Sequence, residues 1–230
     1  MKQFITENSN KMKIILLGAP GAGKGTYASR LKKTFNIPHI STGDLLRESI
    51  RQETESGLKA KEFMDKGEFV PDETIINLLK ERLSQEDAKS GVFLDGFPRT
   101  KKQAEILDEL IGADLAFNFE IEKDVILRRL GGRLVCKDCG EGYNKDKLPP
   151  NQEGICDKCS GELHQREDDK EETILARIDK YYKETSPLLD HYSNKKILHT
   201  LDSNMDLSDP NCTVLEECEQ ILNNLKKSLS

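Results

Sequence analysis

Residues 18–26 read GAPGAGKGT and follow the apolar run KIILL at residues 13–17. Four of the nine are glycine and one is lysine. A strand-length apolar run that ends in Gly18-x-x-x-x-Gly23-Lys24 and passes into a helix-forming stretch describes a loop that wraps phosphate. Glycines let successive backbone N–H groups converge on phosphate oxygens, an approach that side chains would block. The helix that follows aims its positive dipole end at the same point, and Lys24 reaches the outer phosphates. Ser or Thr commonly follows the lysine directly. Here Gly25 intervenes and Thr26 comes next, which speaks against a standard GTPase or motor ATPase.

Beyond the loop, strand-like and helix-like segments alternate. Residues 27–35 set Ala28, Leu31 and Phe35 on one helical face. Short apolar strands are predicted at 37–40, 91–96, 115–121 and 196–201. Helices are predicted at 44–51 and 57–66, and from Asp72 as a cap into Ile75, Ile76, Leu79 and Leu83. One long helix is expected over 172–192, carrying Ile174, Ile178, Tyr181 and Leu188. A last one carries Val214, Leu215, Cys218, Ile221, Leu222 and Leu225. The pattern predicts an α/β, three-layer fold with a central parallel five-stranded sheet and helices on both faces. The expected core comprises residues 12–40, 71–131 and 170–230. Two excursions leave it: an all-helical insertion at 41–70, and a segment at 132–169 rich in Cys, Gly, Pro and charge. Residues 1–11 read as a disordered lead-in or an appended remnant.

A chain of 230 residues suffices for one core and an insertion or two. Its net charge of −6 gives no bulk attraction to nucleic acid or anionic membrane. No apolar stretch approaches the roughly 20 residues of a membrane span, and MKQFITENSNKMK lacks a signal peptide's apolar region. A cytoplasmic location is expected, with neither nucleic acid nor membrane as partner. In that setting Cys136-x-x-Cys139 and Cys156-x-x-Cys159, separated by 16 residues, read as a four-thiolate metal site. Closed tetrahedral coordination suits a structural Zn²⁺, with an iron–sulfur cluster the lesser alternative. Residues 134–165 hold too few apolar side chains to fold alone, and metal binding would supply the missing energy. A zinc-ribbon adaptor for nucleic acid is disfavoured: the lysines there alternate with acids, and Tyr143 is the one aromatic.

Two further motifs surround the loop. STGDLLR (41–47) begins where the second strand ends, the side on which such sheets bind ligands. DGFPRT (95–100) follows the third strand. Asp95 stands at the acidic position that supports Mg²⁺ beside a phosphate loop, and Arg99 offers a planar, bidentate cation. In this order GAPGAGKGT, STGDLLR, PDE (71–73) and DGFPRT resemble adenylate kinase and its nucleoside monophosphate kinase relatives, over nearly the whole chain from Met12 onward. That family's loop also carries Gly-Lys-Gly-Thr at the place of Gly25, and one branch carries a zinc lid.

The resemblance implies reversible, Mg²⁺-dependent phosphoryl transfer from ATP to AMP giving two ADP, hence adenine nucleotide homeostasis, by a monomer. It implies that Gly21, Ala22, Gly23, Lys24, Gly25 and Thr26 wrap the donor phosphates. Thr42, Arg47, Glu68, Phe69, Val70, Gly96, Phe97, Pro98, Arg99 and Gln103 would hold AMP, with Gln103 reading an adenine edge. Asp95 would organise magnesium waters. Arg133, Arg166 and Arg177 match arginines of the lid and its flanks, a catalytic set with Lys24 and Arg99; Arg166 and Arg177 would also reach AMP. Arg129, Arg133, Tyr143 and Met205 match donor contacts. Leu134 departs from the arginine or aromatic that many relatives have there, which leaves a GTP:AMP phosphotransferase as the alternative. No role is assigned to His39, His164, His191 or His199. No general base is required, because the acceptor phosphate is already nucleophilic.

Overall fold

The computed structural model describes residues 11–229. Apart from Lys11, the lead-in expected over residues 1–11 lies outside them. The apolar run becomes β1 (Met12–Gly18), paired in parallel with β3 (Gly91–Asp95) on one side and β4 (Leu115–Glu120) on the other. β2 (His39–Ser41) and β8 (Leu198–Asp202) complete an all-parallel sheet of order β2-β3-β1-β4-β8. A strand covered on both faces must be apolar at every position. Accordingly Ile14 and Leu16 join the core on one face, Ile15 and Leu17 the core on the other.

The first face is covered by α1 (Lys24–Phe35), α6 (Lys123–Gly131), α7 (Glu171–Lys180) and α9 (Val214–Leu229), through Leu31, Ile126, Ile178 and Leu222 among others. The second is covered by α2 (Thr42–Arg51), α3 (Glu55–Asp65), α4 (Asp72–Leu83), α5 (Lys101–Leu110) and α8 (Leu188–Asn194), through Leu46, Ala60, Leu79, Leu107 and Tyr192. Ser41 caps α2 by accepting from the Asp44 N–H, and Thr54 caps α3 by accepting from Gly57.

Two expectations are corrected. The cap of α4 is Pro71; Asp72 is its first residue, and its carboxylate accepts from Gln103 Nε2 at 2.7 Å instead. The single helix expected over 172–192 is three pieces. A wide turn at Tyr181–Thr185, closed by Ser186 N–H to the Tyr181 carbonyl at 2.9 Å, separates α7 from α8, and Pro187 precedes α8. The cysteine segment also carries strands. β5 (Arg133–Cys136), β6 (Gly142–Asn144) and β7 (Leu163–His164) form an antiparallel sheet of order β6-β5-β7. Among the described residues, no helix is long and apolar enough to cross a membrane.

Candidate active site

β1 ends at Gly18 in mid-sheet and the chain turns into α1. Gly23, the cap of α1, has φ of 80°, a left-handed conformation that glycine adopts without strain, and no side chain caps the first N–H groups of the helix. Lys24 folds back so that Nζ donates to the carbonyls of Gly18 (2.7 Å) and Ala19 (3.0 Å). Burial pushes its ammonium down to about 8, against the pull of Asp95.

Asp95 terminates β3. Burial alone would raise its carboxyl, but the hydrogen bond with His39 Nε2 (3.4 Å) and the charge of Lys24 outweigh it and hold the group at about 2. A Cβ built on Gly25 would lie 3.7 Å from Asp95 Oδ2 and 3.8 Å from His39 Cε1. The missing side chain therefore leaves a gap between helix and carboxylate. An ionised oxygen donor bordering such a gap suits Mg²⁺, which keeps several of its waters.

Facing this is a set of arginines. The Arg99 Nε donates to the Gly96 carbonyl (2.8 Å) and its N–H to Gln103 Oε1 (2.8 Å), while its carbonyl accepts from Thr185 Oγ1 (2.9 Å). Its guanidinium lies 5.3 Å from the centre of the Phe69 ring, which Lys180 also approaches. Thr42 Oγ1 donates to the Gly96 carbonyl at 2.9 Å. Arg133, at the start of β5, grips Asp169 through Nε (2.6 Å) and Nη2, and Arg177 Nη1 reaches Asp169 Oδ1 (3.0 Å) and Asp168 Oδ2 (3.0 Å). Arg47 pairs with Asp44 (2.6 Å) and lies 4.0 Å from Asp168; Arg166 lies 3.5 Å from Asp44.

Burial, followed by the charges of neighbouring arginines, lowers Arg99 to about 10 and Arg166 to about 9, and lowers Arg177 as well. Six cations (Lys24, Arg47, Arg99, Arg133, Arg166, Arg177) meet four carboxylates (Asp44, Asp95, Asp168, Asp169). Arg166 Nε is buried with no hydrogen-bond partner. Such an excess of desolvated positive charge with an unused donor is a site for a polyanion.

The four lid cysteines also converge. Their sulfurs all lie within 4.8 Å of one another, with Cys136–Cys159 at 3.4 Å and Cys139–Cys156 at 3.6 Å. Zinc–sulfur bonds of about 2.3 Å in a tetrahedron place sulfurs about 3.8 Å apart, so the arrangement fits one Zn²⁺. The Tyr143 hydroxyl, 3.5 Å from Cys156 Sγ, draws that thiol down to about 6, toward the thiolate a metal needs.

The adenylate kinase family profile matches residues 16–197. An adenylate kinase of Caldicellulosiruptor bescii is 51% identical over 210 residues, covering 89% of this chain and 98% of the relative. One of Listeria innocua is 47% identical over 216 residues (92% and 99%), and one of Thermodesulfovibrio yellowstonii 48% over 214 residues (90% and 100%). The chain belongs to the adenylate kinase family. It is a phosphotransferase of the nucleoside monophosphate kinase class.

With this family in view, the outlying candidates take distinct places. Arg129, on α6, donates from Nη2 to the Met205 carbonyl at 2.7 Å, and Met205 itself is half exposed. Tyr143 turns into the lid: it is buried beside Cys136, Cys156 and Leu163, and its hydroxyl accepts from the Asp157 N–H at 2.8 Å. Gln103 is buried with both ends of its amide held, by Arg99 and Asp72. Glu68, Phe69 and Val70 connect α3 to α4, and Val70 is buried. Gly96, Phe97 and Pro98 form the turn below Arg99, joined by a cis Phe97–Pro98 peptide.

Sequence reasoning missed four groups: Asp169, whose side chain is wholly buried between two arginines, Asp44, Asp168 as a partner of Arg47 and Arg177, and His39 against Asp95. The acidic run Glu167-Asp168-Asp169 directly after Arg166 was the available signal for the lid-side pair. Nothing in the spacing marks His39.

Proposed function

We propose that the chain catalyses Mg²⁺-dependent, reversible transfer of the terminal phosphoryl of ATP to AMP, giving two ADP. The observation that carries this reading is the convergence of Lys24 and five arginines, in excess of their carboxylates and with Lys24, Arg99, Arg166 and Arg177 desolvated, on the end of the sheet that also presents the glycine loop. Phosphoryl transfer demands positioning and charge neutralisation rather than covalent help from the protein.

In this scheme the loop N–H groups and Lys24 hold the β- and γ-phosphates of the donor. Arg47 and Arg99 hold the acceptor phosphate, with Thr42 and the backbone around Gly96 fixing the pocket beside it. Arg133, Arg166 and Arg177 surround the transferring group, whose charge spreads over its equatorial oxygens. Asp168 and Asp169 aim those arginines before substrate arrives, so that little reorganisation remains for the reaction itself. Mg²⁺, bound through water at Asp95, would supply further neutralisation of the phosphates. The residues at 41–70 and 132–169 are proposed as two arms that close over the core at 12–40, 71–131 and 170–230 and exclude water. Zn²⁺ on Cys136, Cys139, Cys156 and Cys159 would hold the lid in shape, and reduced thiolates fit a cytoplasmic setting.

The test is a panel of donors and acceptors on the wild type, followed by single-turnover transfer in Arg99→Ala and Arg133→Ala. ATP with AMP is expected to be the best pair, and each variant to lose about 10²- to 10³-fold in rate. Near wild-type rates in both variants would overturn the arginine scheme. Preference for GTP would move the donor assignment and leave the transfer chemistry standing.

A further inference from the structure

Asp206 and Lys147 have no part in the scheme above, yet they help close a ring of contacts on one flank of the phosphate loop. Arg129 is its hub. The Arg129 Nε donates to Asp206 Oδ1 at 2.9 Å, Nη2 to the carbonyls of Met205 (2.7 Å) and Asn204 (3.3 Å), and Nη1 to the Gly21 carbonyl at 3.4 Å. The second oxygen of Asp206 lies 3.9 Å from Lys147 Nζ, in the turn after β6. Asn144 returns the ring to its start: Nδ2 donates to the Arg129 carbonyl (3.0 Å), and Oδ1 accepts from the N–H of Lys147 (3.1 Å). Helix α6, the loop after β8 and the lid turn thus hold one another through four side chains.

The charge arrangement explains why a carboxylate stands at 206. Arg129 already touches the phosphate loop at Gly21, and a guanidinium there is drawn toward any polyphosphate, where bidentate pairing is strongest. Asp206 is the counter-charge that keeps it on the flank. The pair is mostly buried, with side chains 14% and 20% exposed, so it is not the screened surface bridge that contributes little. Lys147 is half exposed and more distant. Its attraction is weaker and exists only while the lid lies on the core.

We propose that Asp206 is a positioning residue for the donor nucleoside: it fixes the plane of Arg129, which the family resemblance sets at the donor, and its free oxygen receives Lys147 when the lid closes. This rests on the ATP:AMP reading above. The test compares KM for ATP, KM for AMP, and competitive inhibition by inorganic tripolyphosphate, which has phosphates and no base. Asp206→Ala is expected to raise KM for ATP about tenfold, the scale of one charge-assisted hydrogen bond. KM for AMP and inhibition by tripolyphosphate should stay within about twofold of wild type, since both avoid the base end. Asp206→Asn keeps an acceptor for Arg129 Nε and is expected to recover most of the ATP affinity. Lys147→Gln should change KM for ATP by about twofold and flatten its salt dependence. Equal weakening of ATP and tripolyphosphate, or an unchanged KM for ATP in Asp206→Ala, overturns the proposal. A wild type that moves no phosphoryl from ATP to AMP overturns the functional reading instead, and calorimetric binding of ATP and tripolyphosphate to the same variants then decides this one by the same comparison.

Discussion

Lys24 is partly buried, with two carbonyls on its ammonium, and this ties the phosphate loop to pH. Its ammonium loses its proton near about 8, whereas in the unfolded chain it does so near 10.5. Between those values the unfolded chain binds the extra proton, so this group makes folding more favourable as pH rises through the window. Donor binding runs the other way, because the phosphates need the ammonium. KM for ATP is expected to be level below pH 8 and to rise by up to about tenfold per pH unit above it, with no such slope in KM for AMP. A donor profile flat to pH 9.5 would show that Lys24 stays charged in the free enzyme. Gly96 makes a second residue-scale case. Its φ is 79°, and a Cβ there would lie 2.8 Å from Thr42 Oγ1 and 3.0 Å from Arg99 Nη2. Gly96→Ala is expected to cost about 2 kcal/mol of stability from the left-handed backbone. It should also raise KM for AMP more than KM for ATP, because the displaced guanidinium is the one assigned to the acceptor. Denaturant melts and a two-substrate analysis check both effects.

At the scale of elements, legibility followed the source of the order. β1, β3 and β4 could be read because both faces of a parallel sheet demand continuous apolar runs; IILL and VFL are such runs, and LAFNF is one broken only by the buried Asn118. The wide turn at Tyr181–Thr185 was hidden because Ile174, Ile178, Tyr181 and Leu188 keep a helical spacing across it, and one extra residue in a turn barely disturbs that period. The lid strands were hidden for the opposite reason. β5, β6 and β7 are two to four residues long, and they are organised around a sulfur cluster and Tyr143 rather than by alternation. In the site, the cations stood out through motif and spacing. Their partners did not: Arg133 meets Asp169 across 36 positions and His39 meets Asp95 across 56, distances that no local pattern encodes.

For the whole molecule, the cysteine segment meets helix α2 across the site. Arg51, at the end of α2, donates from Nη1 to the Lys137 carbonyl at 2.7 Å, between the first two cysteines, and Arg166 and Asp168 reach Asp44 and Arg47 nearby. The lid's own apolar cluster is only Cys136, Tyr143, Cys156 and Leu163, with Leu134 against it. That is far too little buried area to hold a fold without metal, whereas the sheet is packed on both faces by large clusters. With Zn²⁺ on the four thiolates as proposed above, removing it should melt the lid and leave the sheet intact. Calorimetry of the chelated protein is expected to show a core transition near that of the native protein, with a loss of enthalpy or a separate low-temperature step for the lid. Arg133 opens β5, so transfer should fall steeply with the lid, while AMP binding, proposed above to use Thr42, Arg47 and Arg99, should weaken only by what the Arg51, Arg166 and Asp168 contacts contribute. Readdition of Zn²⁺, at about one ion per chain, should restore both the enthalpy and the rate. A metal-free protein with an unchanged melting profile and full transfer rate would mean that the four thiols hold the lid without an ion.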